Sequence, residues 1–260
     1  MQLSSSGPIS VLAIGQSNME GRYGPMPTQF PPTKNVRFWD WKAKSLVPAE
    51  LGKWPLNHVV GNKRPAGNPA YSFAHAVAQA KGCEVNVGFY ASGGKRIEFF
   101  LPDSVLEKNG WENNQDCNQF RRSIAPMFFE GNAASFLEAS RSSRVDVAII
   151  HQGEANFSPV PDEPEEYAKK VVSLLEELRT SGLIANSTPI LLGHISPYYH
   201  HAPKHREALS MIDDPMVQVV EWDGIETMAD IGAKGNAHAT GTGLHELGLR
   251  YAEKYLSLTG

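Results

Sequence analysis

Five short runs of apolar, β-prone residues punctuate the chain. The first, Ile9-Ser10-Val11-Leu12-Ala13-Ile14, breaks abruptly into Gly15-Gln16-Ser17-Asn18-Met19-Glu20-Gly21, and the others occupy residues 85–90, 145–150, 189–193 and 217–222. The second and third are nearly continuous in apolar character, as expected of strands covered on both faces. Between the runs the period changes. Residues 70–80 read as a helix ended by Lys81-Gly82, a good C-cap. Residues 167–178 repeat apolar positions at three and four. From 243 to 256, Leu244, Leu247, Tyr251 and Tyr255 fall along one side. Strand and helix in alternation predict an α/β three-layer sandwich, a parallel sheet of about five strands with helices on both faces. No internal repeat or linker divides the sequence, so residues 1–260 are expected to form one domain.

Two stretches depart from this plan. Residues 22–68 are rich in Pro, Gly and Asn and carry Trp39, Trp41 and Trp54, and residues 99–120 are similarly irregular. Long excursions from a compact α/β domain are functional loops or disordered segments. The tryptophans favour ordered loops beside a site, with sugar binding and plain packing on the core weighing equally for them.

Composition narrows the partners. The net charge of -4 and sequence pI near 6.1 give no electrostatic reason to expect nucleic acid or an anionic membrane. No apolar stretch approaches the ~18 residues that span a bilayer. The first apolar run lacks a basic leader and reads as a strand, not a signal peptide, giving a cytoplasmic default unless a signal was removed. Cys83 and Cys117 form no CxxC pair and leave a disulfide or two free thiols open.

A serine on a glycine turn after a buried strand presents its hydroxyl at the carboxyl edge of the sheet, where open α/β sheets bind ligands. Gly15-Gln16-Ser17-Asn18-Met19 resembles the nucleophile block of the SGNH-type esterases, in particular the group that removes acetyl esters from carbohydrates. The match is to the sialate O-acetylesterase and acetylxylan esterase kind, carbohydrate esterase family six. That resemblance implies a flavodoxin-like SGNH hydrolase with Ser17 as nucleophile, an acetylated carbohydrate as substrate and no cofactor.

A serine hydroxyl needs a base, and the chain has nine histidines. In the resembling family the catalytic histidine stands at a fixed distance before a helix with a Gly-x-Arg-Tyr-Ala pattern, here Gly248-Leu249-Arg250-Tyr251-Ala252, which implies His238. His245, the rival, falls inside the helix beside its apolar stripe and reads as a helix-surface or half-buried residue. Ester attack also builds an oxyanion that needs donors. Ser92-Gly93-Gly94-Lys95-Arg96-Ile97-Glu98 looks like the family's glycine block and implies the Gly93 amide, with Gly94 next. Lys95 stands where the family has Thr or Ser, and Phe99 or Phe100 where it has Trp. His151-Gln152-Gly153-Glu154 is similar to the Trp-x-Gln-Gly-Glu block and implies the Gln152 side chain as a second donor, joined by the Ser17 amide.

The carboxylate that steadies the base is less determined. Most SGNH enzymes carry it three residues before the histidine, a place held here by Gly235. The resemblance favours Glu154. Asp230, Asp223 and a Ser–His dyad without a carboxylate stay open. Tyr198-Tyr199-His200-His201 with His205 lacks Cys, Asp or Glu at metal-ligand spacing, so no metal is expected. The other readings are a carbohydrate-binding module on an esterase scaffold, or a thioesterase or lipase of the same fold.

Overall fold

The computed structural model describes residues 7–21, 34–51, 55, 67–111, 132–158, 160–234 and 237–260. Among these, seven strands form one sheet: β1 (Ile9–Gly15), β2 (Val36–Asp40), β3 (Ser45–Pro48), β4 (Val85–Ala91), β5 (Val147–His151), β6 (Ile190–Gly193) and β7 (Val217–Val220), in the order β3-β2-β4-β1-β5-β6-β7. The helices are α1 (Ser17–Glu20), α2 (Pro69–Lys81), α3 (Asp103–Asn109), α4 (Asn132–Ala139), α5 (Pro164–Thr180), α6 (Ala202–Ser210) and α7 (Gly241–Thr259).

β4, β1, β5, β6 and β7 are the five strands read from the sequence, all parallel to their neighbours. Their order, second-first-third-fourth-fifth, is the flavodoxin-like one. The sheet nevertheless has seven strands, not five, and is not wholly parallel. β2 adds to β4 in parallel and folds back antiparallel as β3 at the edge. This hairpin falls inside the stretch expected as a loop. Asp40 builds its turn, accepting hydrogen bonds from the Lys42 and Ala43 amides at 2.9 and 3.0 Å, an Asx turn. Trp39 is buried against Phe136 in a tilted edge contact, so this ring serves packing. Trp54 lies outside the described residues. The second irregular stretch likewise contains structure, a 3-10 turn (Ile97–Phe100) followed by α3.

β1 is central, and its side chains divide by parity. Val11 and Ala13 join the core under α2 and α7, while Leu12 and Ile14 join the core under α3 to α6. Burial on both faces is why this run is apolar without alternation. The polar exception, Ser10, is satisfied by Asp146 Oδ2 at 2.8 Å and the Arg144 carbonyl at 3.0 Å. α2 starts where Asn68 Oδ1 accepts from the Tyr71 amide and ends on left-handed Gly82. α7 starts where Thr240 accepts from the Gly243 amide. Both caps satisfy donors or carbonyls that a helix end leaves open. All parallel strands therefore end along one edge, and the turns after β1, β4 and β5 meet there.

Candidate active site

β1 ends at Gly15, and the chain turns immediately into α1. A side chain at Gly15 is excluded, because a Cβ there would lie 2.3 Å from the His151 carbonyl oxygen and 2.6 Å from Met19 Cβ. The close approach puts Ser17, the first residue of α1, at the sheet edge with its side chain nearly buried. Its amide precedes any intrahelical acceptor and makes no hydrogen bond among the described residues.

His238 comes from the segment between β7 and α7. Its Nε2 lies 2.9 Å from Ser17 Oγ, within the reach a general base needs. With Nε2 unprotonated, it accepts the hydroxyl proton. Residues 238–240 are tied back to residues 226–228. The His238 carbonyl accepts from the Met228 amide at 2.8 Å and Thr240 N donates to the Glu226 carbonyl at 3.0 Å. Ala239 pairs with Thr227 in an isolated bridge. His245 is buried between α2 and α7, its Nδ1 3.1 Å from Ser72 Oγ. It belongs to the helix interface.

The expected oxyanion donors meet at this edge but are engaged. Gly93 N donates to Glu20 Oε2 at 3.1 Å. Gln152 Nε2 donates to the Lys95 carbonyl at 2.6 Å and reaches Gln16 Oε1 at 3.4 Å. Gln16 Oε1 also accepts from the Ala155 amide at 3.0 Å, tying the β1 turn to the β5 turn. Glu20, in the turn after β1, is not among the residues that the sequence singles out. Its signal is its spacing, one helical turn after Ser17.

The carboxylates weighed for the triad lie elsewhere. Asp223 pairs with Arg206 at 2.8 Å. Asp230 accepts from Tyr198 OH and from Thr227 N and Oγ1. Glu154 is fully buried, accepts from Asn18 Nδ2 at 2.7 Å and lies 3.3 Å from His151 Nε2. The hydrogen-bond partners are thus Arg206 for Asp223, Tyr198 and Thr227 for Asp230, and Asn18 for Glu154. Gly235 lies outside the described residues. Burial alone would raise the Glu154 pKa, but the adjacent His151 and the Asn18 hydrogen bond together hold it below the usual carboxylate range.

Two supports under the β5 turn were invisible in the sequence pattern. The Gln152 carbonyl accepts from Tyr167 OH at 2.8 Å and lies 3.1 Å from His205 Nε2. That fills both lone pairs and fixes Nε2 as the protonated nitrogen of His205. Beside them, Lys170 Nζ lies 2.8 Å from both Glu98 and Asp162, and Arg96 pairs with the same two carboxylates. Asn156 accepts from the Ile97 amide and donates to Glu98 and Asp162. Two cations and two carboxylates thus staple the β4 turn to the β5 turn.

His205 sits with no exposure, and burial drives its pKa down to about 3. The native state therefore holds it neutral, while the unfolded chain takes up a proton below the ordinary 6.5. Its contribution to stability is complete above pH 6.5 and is lost as pH falls from there toward about 3. The expected slope from this group is about 1.4 kcal/mol per pH unit. Urea unfolding at pH 7, 5 and 4 checks it, and His205→Gln, which can still donate to the Gln152 carbonyl, should flatten the dependence. An unchanged slope in that variant would contradict the assignment.

A serine-bearing turn, a loop-borne histidine and a glutamine-bearing turn meet on the edge of a flavodoxin-like sheet, the arrangement that the resemblance to SGNH-type hydrolases implies. Sequence comparison narrows the class: the family profile for carbohydrate esterase, sialic acid-specific acetylesterase, matches residues 9–257. The chain belongs to that family and is an esterase. No curated protein sequence matches it. Among solved structures, a protein from Arabidopsis thaliana is similar with a TM-score of 0.69 and 22% identity, over 96% of this chain and 98% of that one. NanS is similar with a TM-score of 0.67 and 12% identity, over 97% of each chain. Est24, a carbohydrate acetylesterase from Sinorhizobium meliloti, gives 0.55 and 14%, over 96% of this chain and 99% of that one. At these identities the likeness is one of fold.

Proposed function

We propose that the protein removes O-acetyl groups from a carbohydrate, a sialic acid or an acetylated polysaccharide, through an acetyl-enzyme on Ser17. The observation that carries this is the 2.9 Å contact between Ser17 Oγ and His238 Nε2 in a chain of a carbohydrate esterase family. Ser17 Oγ attacks the acetyl carbonyl carbon as its proton passes to His238 Nε2. The tetrahedral intermediate collapses with transfer of that proton to the departing sugar oxygen, leaving acetyl on Ser17. Water then attacks the acetyl-enzyme, giving its proton to His238, and acetate leaves as Ser17 recovers a proton.

The oxyanion needs donors aimed at it. The Ser17 amide is available without rearrangement. Gly93 and Gln152 join it by exchanging their present acceptors, Glu20 and the Lys95 carbonyl, for the developing charge. A charged acceptor makes the stronger hydrogen bond for the amide of Gln152, so that exchange is favoured as the oxyanion forms.

Acetate release from a panel of O-acetylated sialic acids and O-acetylated polysaccharides tests the reading. Acetate is expected from at least one class, and p-nitrophenyl acetate should be turned over faster than longer-chain esters. Inactivity on every acetylated glycan, or a preference for long acyl chains, would replace it with a lipase or thioesterase assignment.

A further inference from the structure

Asn18, the residue after Ser17, is buried, and its contacts give it a role that only the three-dimensional structure shows. Its Nδ2 donates to Glu154 Oε1 at 2.7 Å and its Oδ1 accepts from the Ala239 amide at 3.0 Å. The amide cannot be reversed, since a carboxylate oxygen on one side requires the NH2 and a backbone N–H on the other requires the oxygen. Ala239 is the neighbour of His238. The side chain therefore links the glutamate to the backbone that carries the base.

Glu154 is fixed in turn by His151, the last residue of β5. Tyr251 OH has one proton and directs it to the Ile150 carbonyl at 3.1 Å. The 3.2 Å contact of that hydroxyl with His151 Nδ1 then requires Nδ1–H as donor. Nε2 lies 3.3 Å from the Glu154 carboxylate, so the ring stands between the Tyr251 hydroxyl and Glu154 inside the protein. Gly193 permits this packing, because a Cβ there would meet Tyr251 OH at 2.1 Å and His151 Nδ1 at 2.4 Å.

We infer that Asn18 is a positioning residue for the catalytic histidine, and that the buried His151–Glu154 pair acts on His238 through Asn18 and the Ala239 amide instead of through the imidazole. The inference rests on the assignment of Ser17 and His238 as nucleophile and base. A carboxylate-to-amide hydrogen bond in a dry site is among the stronger ones in proteins. The relay holds the base's backbone where it must meet Ser17, and small misplacements of a catalytic group cost large factors in rate.

A double-mutant cycle on p-nitrophenyl acetate turnover tests it, with Asn18→Ala, Glu154→Gln and the pair. Each single variant is expected to lower kcat at least tenfold with KM changed less than twofold and the circular dichroism spectrum kept. In one relay, the pair should lose no more than about the larger single loss. Losses that multiply would mean that Glu154 acts on His238 independently of Asn18, and near-normal kcat in Asn18→Ala would remove its positioning role; either overturns the inference. Should Asn18→Ala fail to fold, Asn18→Asp keeps an acceptor for Ala239 but no donor for Glu154, and the same cycle is read with it. Wild-type activity lost in Ser17→Ala validates the underlying assignment separately, so a multiplicative cycle in an active enzyme rejects the relay alone.

Discussion

Ser17→Ala is expected to lower kcat for p-nitrophenyl acetate by at least about ten-thousand-fold, with KM and thermal stability close to wild type. Loss of the nucleophile in a serine hydrolase leaves only the catalysis that binding and the oxyanion donors provide. The fold should tolerate the change. Among the described residues the hydroxyl's hydrogen bond runs to His238, and His238 is half-buried, so water can replace the lost partner. The turn itself is held by backbone contacts, with Gln16 N on the His151 carbonyl at 3.2 Å and Ser92 N on the Gly15 carbonyl at 2.9 Å. Initial rates on wild type and variant, normalised to folded protein, decide the matter. Retention of more than a tenth of wild-type kcat would place the nucleophile elsewhere.

Lys170→Met is expected to be the most damaging substitution outside the reacting groups. Lys170 is nearly buried on α5 and neutralises Glu98 and Asp162 at 2.8 Å each. Glu98 is buried as well. Burial by itself would raise its pKa, but Lys170 first and Arg96 second hold it below the usual carboxylate range. Without the lysine, Glu98 and Asp162 each lose a cation 2.8 Å away. Breaking a buried ion pair in this way costs about 3–5 kcal/mol, which for a domain of this size lowers Tm by roughly 10 °C. Because the network joins the β4 and β5 turns, kcat should fall as well. Differential scanning calorimetry of the variant reads the first effect, and a Tm within about 2 °C of wild type would show the network to be dispensable. Adding Glu98→Gln should return part of the loss, since it removes one of those two negative charges.

The candidate site residues are legible because they sit at strand ends. Periodicity located β1, β4 and β5, and the polar residues just past each strand had no reason to interrupt an apolar run except to face the carboxyl edge. Ser17, Gly93, Gln152 and Glu154 were found that way, with resemblance adding the roles. His238 depended on resemblance almost wholly, since no periodic signal distinguishes a loop histidine from eight others. The β2–β3 hairpin was missed because its flanks are rich in Pro and Gly, and that composition hid Val36, Phe38 and Trp39 as a short edge strand. α3, α4 and α6, of seven to nine residues, are too short for a 3.6-residue period to stand out.

The links between functional residues were not legible. Asn18 meets Glu154 across 136 positions, and Ala239 across 221. Nothing in local pattern reports a hydrogen bond of such separation. The same holds for Tyr167 and His205 on the Gln152 carbonyl, and for Lys170 on Glu98. These groups appear in the sequence only as polar residues breaking apolar helix faces. Glu154 illustrates the limit most clearly. It is expected to orient the imidazole, yet its hydrogen bond runs to Asn18, because the β5 turn brings it against the turn that carries Ser17 and Asn18.

The account turns on one claim, that Ser17 is a nucleophile activated by His238. Labelling by a fluorophosphonate probe tests it most directly, since phosphonylation requires an activated hydroxyl, and peptide mass spectrometry locates the adduct. One adduct per chain on Ser17 is expected in the wild type, with the rate at least about a hundredfold lower in His238→Ala and unchanged in His245→Gln. An unlabelled Ser17, an adduct on another serine, or equal rates in wild type and His238→Ala would contradict it and leave the scaffold as a carbohydrate-binding protein.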